Sequence, residues 1–215
     1  DLPDLKNSTF CILGLGYVGL PLAVQIAKVK KNLVNDNLLD RKIIGFDINQ
    51  KRIDELKKGF DRTKEVSHYD LITQKNLKFT SNEDDLLPAD IFIVTVPTPI
   101  NQDKKPNLIP LKDACLIIGK ILKKKNIIKG QIIIFESTVF PGATEEVCVP
   151  ILEKNSGLSF NKDFFCGYSP ERINPGDKDN GIENIVKIVS GCNQDITNII
   201  NKFYSSFVKA GTYIT

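Results

Sequence analysis

Short continuous runs of apolar residues recur along this chain, and they predict the strands of a sheet. The clearest runs are Thr9–Leu13, residues 89–96 and Gln131–Phe135. A strand that is apolar on both sides belongs in a parallel sheet whose two faces are covered. Residues 41–47 predict another strand, and weaker runs predict further strands at Phe164–Tyr168, residues 186–189 and Thr212–Ile214.

Between these runs, apolar residues recur at helical spacing. Leu20, Val24 and Ala27 follow the first strand with that period. Pro110 suits the first turn of a helix, and Thr144, which two glutamates follow, marks the start of another. The apolar faces predicted for these two helices are Leu111, Ala114, Ile118 and Leu122 in the first, and Val147, Cys148, Ile151 and Leu152 in the second.

Two more helices are expected, at residues 50–58 and near residues 193–207. Asn49 can cap the former, and Gly59 can stop it. Strands that alternate with helices predict an α/β fold with a doubly wound, mostly parallel Rossmann-type sheet and helices on both faces. We expect residues 1–8 to form an N-terminal tail and residues 9–215 to form one NAD-binding domain.

Composition and charge narrow the class of partner. Lys and Arg number 29 and Asp and Glu 26, so the formal net charge is only +3. That small, scattered excess does not indicate a nucleic-acid partner. No run reaches the roughly 18 uninterrupted apolar residues that a membrane span needs. The five cysteines are an odd number without a CxxC pair, so they indicate neither a disulfide framework nor a zinc site. We expect a cytoplasmic protein with a small-molecule substrate, no metal, and no nucleic-acid or membrane partner.

A glycine-rich turn joins the first predicted strand to its helix. Gly14, Gly16 and Gly19 have the GxGxxG spacing, with Tyr17 and Val18 between them. At such a junction, bare backbone lets a pyrophosphate approach the positive end of the helix. The turn therefore predicts a dinucleotide site, and a plain structural turn is the alternative.

An acidic residue at the end of the next strand strengthens that interpretation. Asp47 can accept hydrogen bonds from both hydroxyls of the adenosine ribose. It lies 47 − 19 = 28 residues after Gly19, whereas the usual spacing is about 20, so we expect an insertion within residues 30–40. No arginine adjoins Asp47 to offset its repulsion of a 2′-phosphate, which favours NAD over NADP. Arg52 could reach the adenine or ribose, or it could be a solvated helix charge.

Hydroxyl side chains follow other predicted strands at their carboxyl ends, where ligands lie in open α/β sheets. Thr98 lies in a Val-Pro-Thr-Pro loop and could meet cofactor or substrate, or belong to a rigid turn. Thr138 leaves the next strand in the same way. Thr144 is either a further cofactor contact or only a helix cap.

A proline-braced loop carries the last candidates. Glu171 and Arg172 lie between Pro170 and Pro175, where the backbone is constrained. Rigid loops with paired charges suit binding, and an exposed ion pair worth about 0 to 1 kcal/mol is an equal alternative. His68, the single histidine, is assigned no role.

Five segments taken together resemble the UDP-glucose/GDP-mannose dehydrogenase family. They read GLGYVGLPLA, GFDIN, VPTPIN, ESTVFPGATEE and GYSPERINPGDK, and the likeness covers most of residues 10–190. The last two, with CVPILEK between them, are most similar to the bacterial branch that oxidises UDP-N-acetylglucosamine or UDP-N-acetylgalactosamine at C6. That branch supplies uronic acids for capsule, Vi-type antigen and O-antigen polysaccharides.

The resemblance implies two hydride transfers to two NAD, which take the C6 alcohol of a UDP-hexose through an aldehyde and a cysteine thioester to a carboxylate. It assigns the turn from Gly14 to Gly19, and Asp47, to NAD. Thr98, with Thr138 or Thr144, would line the nicotinamide side.

On the substrate side, the resemblance places Glu171 beside the reacting C6, with Thr138 in the same catalytic site. Arg172 and Ile173 would touch the sugar nucleotide.

This chain has about half the length of family members, whose catalytic lysine and cysteine lie in a second Rossmann-like domain beyond a central helix. Neither motif occurs here. We therefore expect the NAD-binding portion of a nucleotide-sugar 6-dehydrogenase, inactive by itself. The full-length enzyme is expected to be a homodimer through the central helix, and this chain a monomer. The alternatives are a stand-alone nucleotide-binding or interaction module without catalysis, and a β-hydroxyacid dehydrogenase-like NAD domain.

Overall fold

Eight strands form the sheet of the computed structural model, which describes residues 1–101, 104–125, 130–137, 142–171 and 181–215. Most are short, apolar and buried, as an internal sheet requires. In chain order they are β1 (Thr9–Leu13), β2 (Lys42–Phe46), β3 (Leu77–Thr80), β4 (Ile91–Val94), β5 (Gln131–Phe135), β6 (Phe164–Tyr168), β7 (Lys187–Gly191) and β8 (Thr212–Ile214).

The sheet is wound outwards from its middle. Its order is β3-β2-β1-β4-β5-β6-β7-β8, and neighbouring strands from β3 to β6 pair in parallel. Strand β7 is antiparallel to β6 and parallel to β8. The winding changes direction between β1 and β4, which leaves a crevice at the carboxyl ends of these strands. The predicted doubly wound, mostly parallel sheet is confirmed.

Helices cover both faces of the sheet. The side chains of β1 alternate between the faces: Phe10 and Ile12 join the apolar cluster under α1 and α6, whereas Cys11 and Leu13 join the cluster under α4 and α5. This alternation is what a strand buried on both sides produces. The helices are α1 (Gly19–Lys28), α2 (Gln50–Lys57), α3 (His68–Thr73), α4 (Ile109–Lys124), α5 (Val149–Ser156) and α6 (Gln194–Ser205).

The predicted helix boundaries hold where a cap or stop residue marks them. The Asn49 side chain accepts a hydrogen bond from the backbone N–H of Arg52, 3.1 Å away, and so caps α2. Gly59 follows that helix with φ 75°, the left-handed conformation that ends helices. Thr144 differs, because it opens a π-helical turn, Thr144–Cys148, that precedes α5.

Two elements carry little apolar signal and were not predicted. In β3 only Phe79 and Thr80 are buried, and α3 buries only Leu71. Residues 30–40, where we placed an insertion, form a hairpin-like loop in which Lys31 and Leu38 make an isolated antiparallel bridge.

The remaining whole-chain features concern membranes, metals and thiols. No helix within the described ranges is long and apolar enough to cross a membrane. Among the same residues, no cluster of three or more His, Cys, Asp or Glu side chains could hold a metal. All five cysteines are free thiols.

Candidate functional site

A cavity of about 840 Å³ opens at the carboxyl ends of β1, β2, β4, β5 and β6. Its size falls within the range of small-molecule sites, and it occupies the crevice where the winding of the sheet reverses. Eight of the residues that the sequence singled out line it together, namely Gly14, Gly16, Tyr17, Val18, Asp47, Arg52, Thr98 and Glu171.

Five other candidates are not among those lining residues. Gly19 lies beneath the glycine turn. Thr144 is half-buried at the start of its helical turn. Thr138, Arg172 and Ile173 lie outside the described residues, so their assignments stay predictions.

Glycine occupies the three positions of the motif for different physical reasons. A Cβ at Gly19 would lie 1.8 Å from the Gly14 carbonyl oxygen and 2.4 Å from Thr95 Oγ1, so the close packing of turn and helix excludes one. Gly14 has φ 96°, and its Cβ would lie 3.1 Å from the Val96 backbone. A Cβ at Gly16 would meet nothing within 4 Å, and its φ is not positive. The fold does not require Gly16, whereas a pyrophosphate lying against bare backbone would.

This difference predicts opposite behaviour for two variants. Gly16→Val is expected to change the free energy of unfolding by less than about 0.5 kcal/mol, yet to weaken NADH binding about 10-fold or more, since its side chain fills the space against the turn. Gly19→Ala is expected to destabilise the fold by about 1 to 3 kcal/mol through overpacking. Urea denaturation and NADH fluorescence titration measure the two quantities. Unaltered NADH affinity in Gly16→Val would remove this turn from the cofactor site.

Asp47 is fixed at the rim of the cavity. Its Oδ2 accepts a hydrogen bond from the backbone N–H of Leu15, and its Oδ1 accepts one from that of Asn49, each at 2.9 Å. These bonds join the end of β2 to the glycine turn and to the start of α2. A carboxylate has capacity for further donors, so the arrangement suits recognition of ribose hydroxyls.

Arg52 is a buried anchor of the glycine turn. Only 5% of the residue is exposed, so the alternative of a solvated helix charge is wrong. Its Nε donates to the Leu15 carbonyl oxygen at 2.9 Å, and its Nη1 lies 2.8 Å from Asp61 Oδ1. Its Nη2 has no hydrogen-bond partner among the described residues, which leaves a donor beside the cavity for a ligand.

Asp61, which the sequence analysis missed, holds that arginine. Its side chain accepts hydrogen bonds from the backbone N–H groups of Thr63, Glu65 and Val66 and from the Thr63 hydroxyl. Burial by itself would raise the pKa of Asp61, but these bonds and the Arg52 guanidinium outweigh it and lower the pKa below its ordinary value. The Asp-x-Thr sequence is a turn signal that could have identified this loop.

Hydroxyl groups tie the strand ends to one another. Thr95 Oγ1 donates to the carbonyl oxygens of Leu13 and Gly14, at 3.0 and 2.8 Å. Ser137 Oγ donates to the Val96 carbonyl oxygen at 2.6 Å. The loop that carries Thr98 is thereby fastened to its neighbours on both sides.

A buried cluster of charges lies at the base of the cavity. Lys187 Nζ is 2.8 Å from Glu136 Oε2 and 3.6 Å from Glu171 Oε2, and the Tyr204 hydroxyl donates to Glu136 Oε1. Burial raises the pKa of Glu136, and the nearby lysine opposes that shift. The Glu171 side chain is only 10% exposed, so the alternative of an exposed surface pair is wrong for this residue.

Lys187 is another residue of the site that the sequence analysis missed. It lies in the middle of the apolar run Ile-Val-Lys-Ile-Val, is the first residue of β7 and is only 3% exposed. A lysine inside an otherwise apolar strand is itself a signal, because a buried cation needs a carboxylate partner.

Comparison with known proteins agrees with this geometry. Residues 8–208 match the family described as UDP-glucose/GDP-mannose dehydrogenase family, NAD binding domain. A UDP-N-acetyl-D-glucosamine 6-dehydrogenase from Pseudomonas aeruginosa is 50% identical over 97% of this chain and 46% of its own length. One of the same description from Salmonella typhi is 48% identical over 94% of this chain and 44% of its own length.

A solved structure gives the same result at the level of the fold. The structure of a UDP-D-ManNAc dehydrogenase from Pyrococcus horikoshii matches with a TM-score of 0.80 and 29% identity, covering 96% of this chain and 46% of that one. This chain thus spans about half the length of the relatives it matches.

Proposed function

Because this chain belongs to the UDP-glucose/GDP-mannose dehydrogenase family and is an NAD binding domain of it, we propose that it serves a nucleotide-sugar 6-dehydrogenase. The reaction would be oxidation of the C6 alcohol of a UDP-N-acetylhexosamine to a uronate with two NAD. The observation that carries the proposal is one cavity lined both by a dinucleotide-type turn with Asp47 and by the carboxylate of Glu171. The identity of 48 to 50% to enzymes described as UDP-N-acetyl-D-glucosamine 6-dehydrogenases favours that class of sugar.

The residues present fit NAD. The space over Gly16, at the start of α1, suits the pyrophosphate, and the Asp47 carboxylate suits the adenosine ribose. The free Nη2 of Arg52 offers one more donor. When bound, NAD would accept the hydride from C6. Thr98 lines the same cavity and is assigned to the nicotinamide side, together with Thr138 or Thr144.

On the substrate side, Glu171 would take or hold a proton near C6. A carboxylate in a largely enclosed position can orient water or accept a proton from the oxidised hydroxyl. The family resemblance adds Thr138 to the catalytic site, and Arg172 and Ile173 to the contacts with the sugar nucleotide.

The thioester step needs a thiol that this chain does not offer. Burial raises the pKa of the Cys166 thiol well above its ordinary value, and it also raises that of the half-buried Cys192. A thiol held in its protonated form is a poor nucleophile. We therefore assign the thiol and the catalytic lysine to the second half of the family's proteins and expect no turnover from this chain by itself.

The proposed setting is bacterial surface-polysaccharide synthesis, of capsule or O-antigen type, in the cytoplasm. Five free thiols support a reducing compartment. The assembled enzyme is proposed to be a homodimer.

The cofactor assignment is tested by Asp47→Ala. This variant is expected to bind NADH about 1 to 3 kcal/mol more weakly, since charge-assisted hydrogen bonds to the ribose are lost. NADPH binding is expected to strengthen, since the carboxylate that repels a 2′-phosphate is gone. Fluorescence titration with both nucleotides measures the change. An unchanged preference would exclude Asp47 from the ribose site.

A further inference from the structure

We propose that the ion pair between Glu55 and Arg62 is a second determinant of cofactor choice, which withholds Arg62 from the 2′-phosphate of NADP. The inference rests on the proposed binding of NAD in the cavity and adds a residue pair that the glycine turn and Asp47 do not include.

The pair is bidentate. Arg62 Nε lies 2.6 Å from Glu55 Oε2, and Arg62 Nη2 lies 2.7 Å from Glu55 Oε1. Two parallel hydrogen bonds of this kind occupy the Nε–Nη2 edge of the guanidinium, an edge that a phosphate would otherwise use. The hydrogen bond from Arg62 lowers the pKa of Glu55, and its counterpart raises the pKa of Arg62, so both groups are charged at neutral pH.

Arg62 belongs to the rim of the cavity. It lines the cavity with Asp47, Ile48 and Asn49, and the charge of Asp47 contributes to raising the pKa of Arg62. The preceding residue, Asp61, is fixed by the hydrogen bonds of its loop, which keeps the Arg62 backbone beside the ribose end of the site. In sequence no arginine adjoins Asp47, but the fold brings one to it.

The other arginine at this rim, Arg52, has one donor left for a ligand. It is buried, and its Nε and Nη1 hold the Leu15 carbonyl oxygen and Asp61, which leaves only Nη2, whereas the Arg62 side chain is 41% exposed and can turn. An arginine near the ribose is what accommodates the extra phosphate in NADP-binding sites. Arg62 is therefore the residue among those described that is placed to do so.

Glu55 opposes this role in two ways. It occupies the guanidinium fork, so a phosphate must displace a bidentate carboxylate to reach it. It also neutralises the charge of Arg62 at the rim that Arg62 shares with Asp47, so a 2′-phosphate would meet less attraction there. Asp47→Ala alone should therefore leave part of the discrimination against NADPH in place. Asp47→Ala and Glu55→Gln together should reduce that discrimination more than either substitution does alone.

The test is a set of NADH and NADPH titrations by fluorescence on this chain. The variants are Glu55→Gln, Asp47→Ala, the double variant, and the double variant that also carries Arg62→Met. Asp54→Asn is the matched control, because it removes an exposed charge from the same helix whose hydrogen bond is with Gln50 and not with Arg62.

Glu55→Gln in the Asp47→Ala background is expected to shift the ratio of NADPH to NADH affinity about 10-fold toward NADPH. Addition of Arg62→Met should reverse that shift, and Asp54→Asn should leave the ratio unchanged. If Glu55→Gln does not move the ratio, or if Arg62→Met does not reverse the shift, the inference is overturned while the proposed function survives. Absence of NADH binding by the unsubstituted chain would overturn both.

Discussion

Replacement of Lys187 by methionine is expected to lower the free energy of unfolding by about 3 to 5 kcal/mol. Lys187 Nζ lies 2.8 Å from Glu136 Oε2 and 3.6 Å from Glu171 Oε2, and both carboxylates are largely enclosed. Without the ammonium group, the buried Glu136 carboxylate has no cation among the described residues in contact with it. Urea denaturation measures the loss.

The stability that is lost in Lys187→Met should increase as pH rises. Burial raises the folded-state pKa of Glu136, so the folded protein holds this proton at pH values where the unfolded chain releases it. Stability contributed by such a group is present below the unfolded pKa and is lost as pH rises through the folded pKa. In the Lys187→Met variant the hydrogen bond from Tyr204 still opposes the effect of burial but the lysine no longer does, so the variant should lose further stability as pH rises across that window.

Two further variants compare the buried ion pair of Lys187 with an ordinary surface ion pair. Lys124→Met removes a lysine whose ion pair with Asp84 is more than half exposed on both sides, and should leave the free energy of unfolding nearly unchanged. Glu136→Gln combined with Lys187→Met removes both charges of the closest pair and should recover part of the loss. If Lys187→Met is no more costly than Lys124→Met, the cluster does not contribute to stability as its geometry indicates.

The elements that the sequence predicted best are those whose burial is continuous. Strands β1 and β5 are buried along their whole length and begin and end where the apolar runs do, because alternate side chains point to opposite faces and both faces of the sheet are covered. The edge strand β3 has only two buried residues, and a pattern that short does not differ from a loop.

Only part of the site was predicted from the sequence, because only some of its residues carry a local signal. The glycine turn and Asp47 are local signals, since each lies directly after its own strand. Asp61, Arg62 and Lys187 act through partners on other elements, so a local signal such as the Asp-x-Thr turn or a lysine in an apolar run does not say which residue each of them contacts. Tertiary structure decides which charged residues reach a cavity and which neutralise one another.

Replacement of Glu171 by glutamine is expected to lower kcat about 100-fold or more in a protein that joins this chain to the second half of its family. Glutamine keeps the size of the side chain and can still accept a hydrogen bond from Lys187, but it cannot take a proton. Since this change concerns proton transfer rather than binding, KM for the UDP-sugar should change much less than kcat.

The position of Glu171 is the physical reason for that expectation. It lies three residues after the end of β6, lines the same cavity as Thr98 and Ser137, and is only 10% exposed, so a water or hydroxyl beside it would be shielded from bulk solvent. Glu145→Gln, an exposed glutamate on the neighbouring helical turn, is the matched control and should retain full activity. Equilibrium titration with NADH should give similar affinities for Glu171→Gln and the unsubstituted protein, which verifies that the cofactor site is intact. If Glu171→Gln keeps both its kcat and its KM, the carboxylate takes no part in the chemistry, and its contact with Lys187 is then a purely structural one.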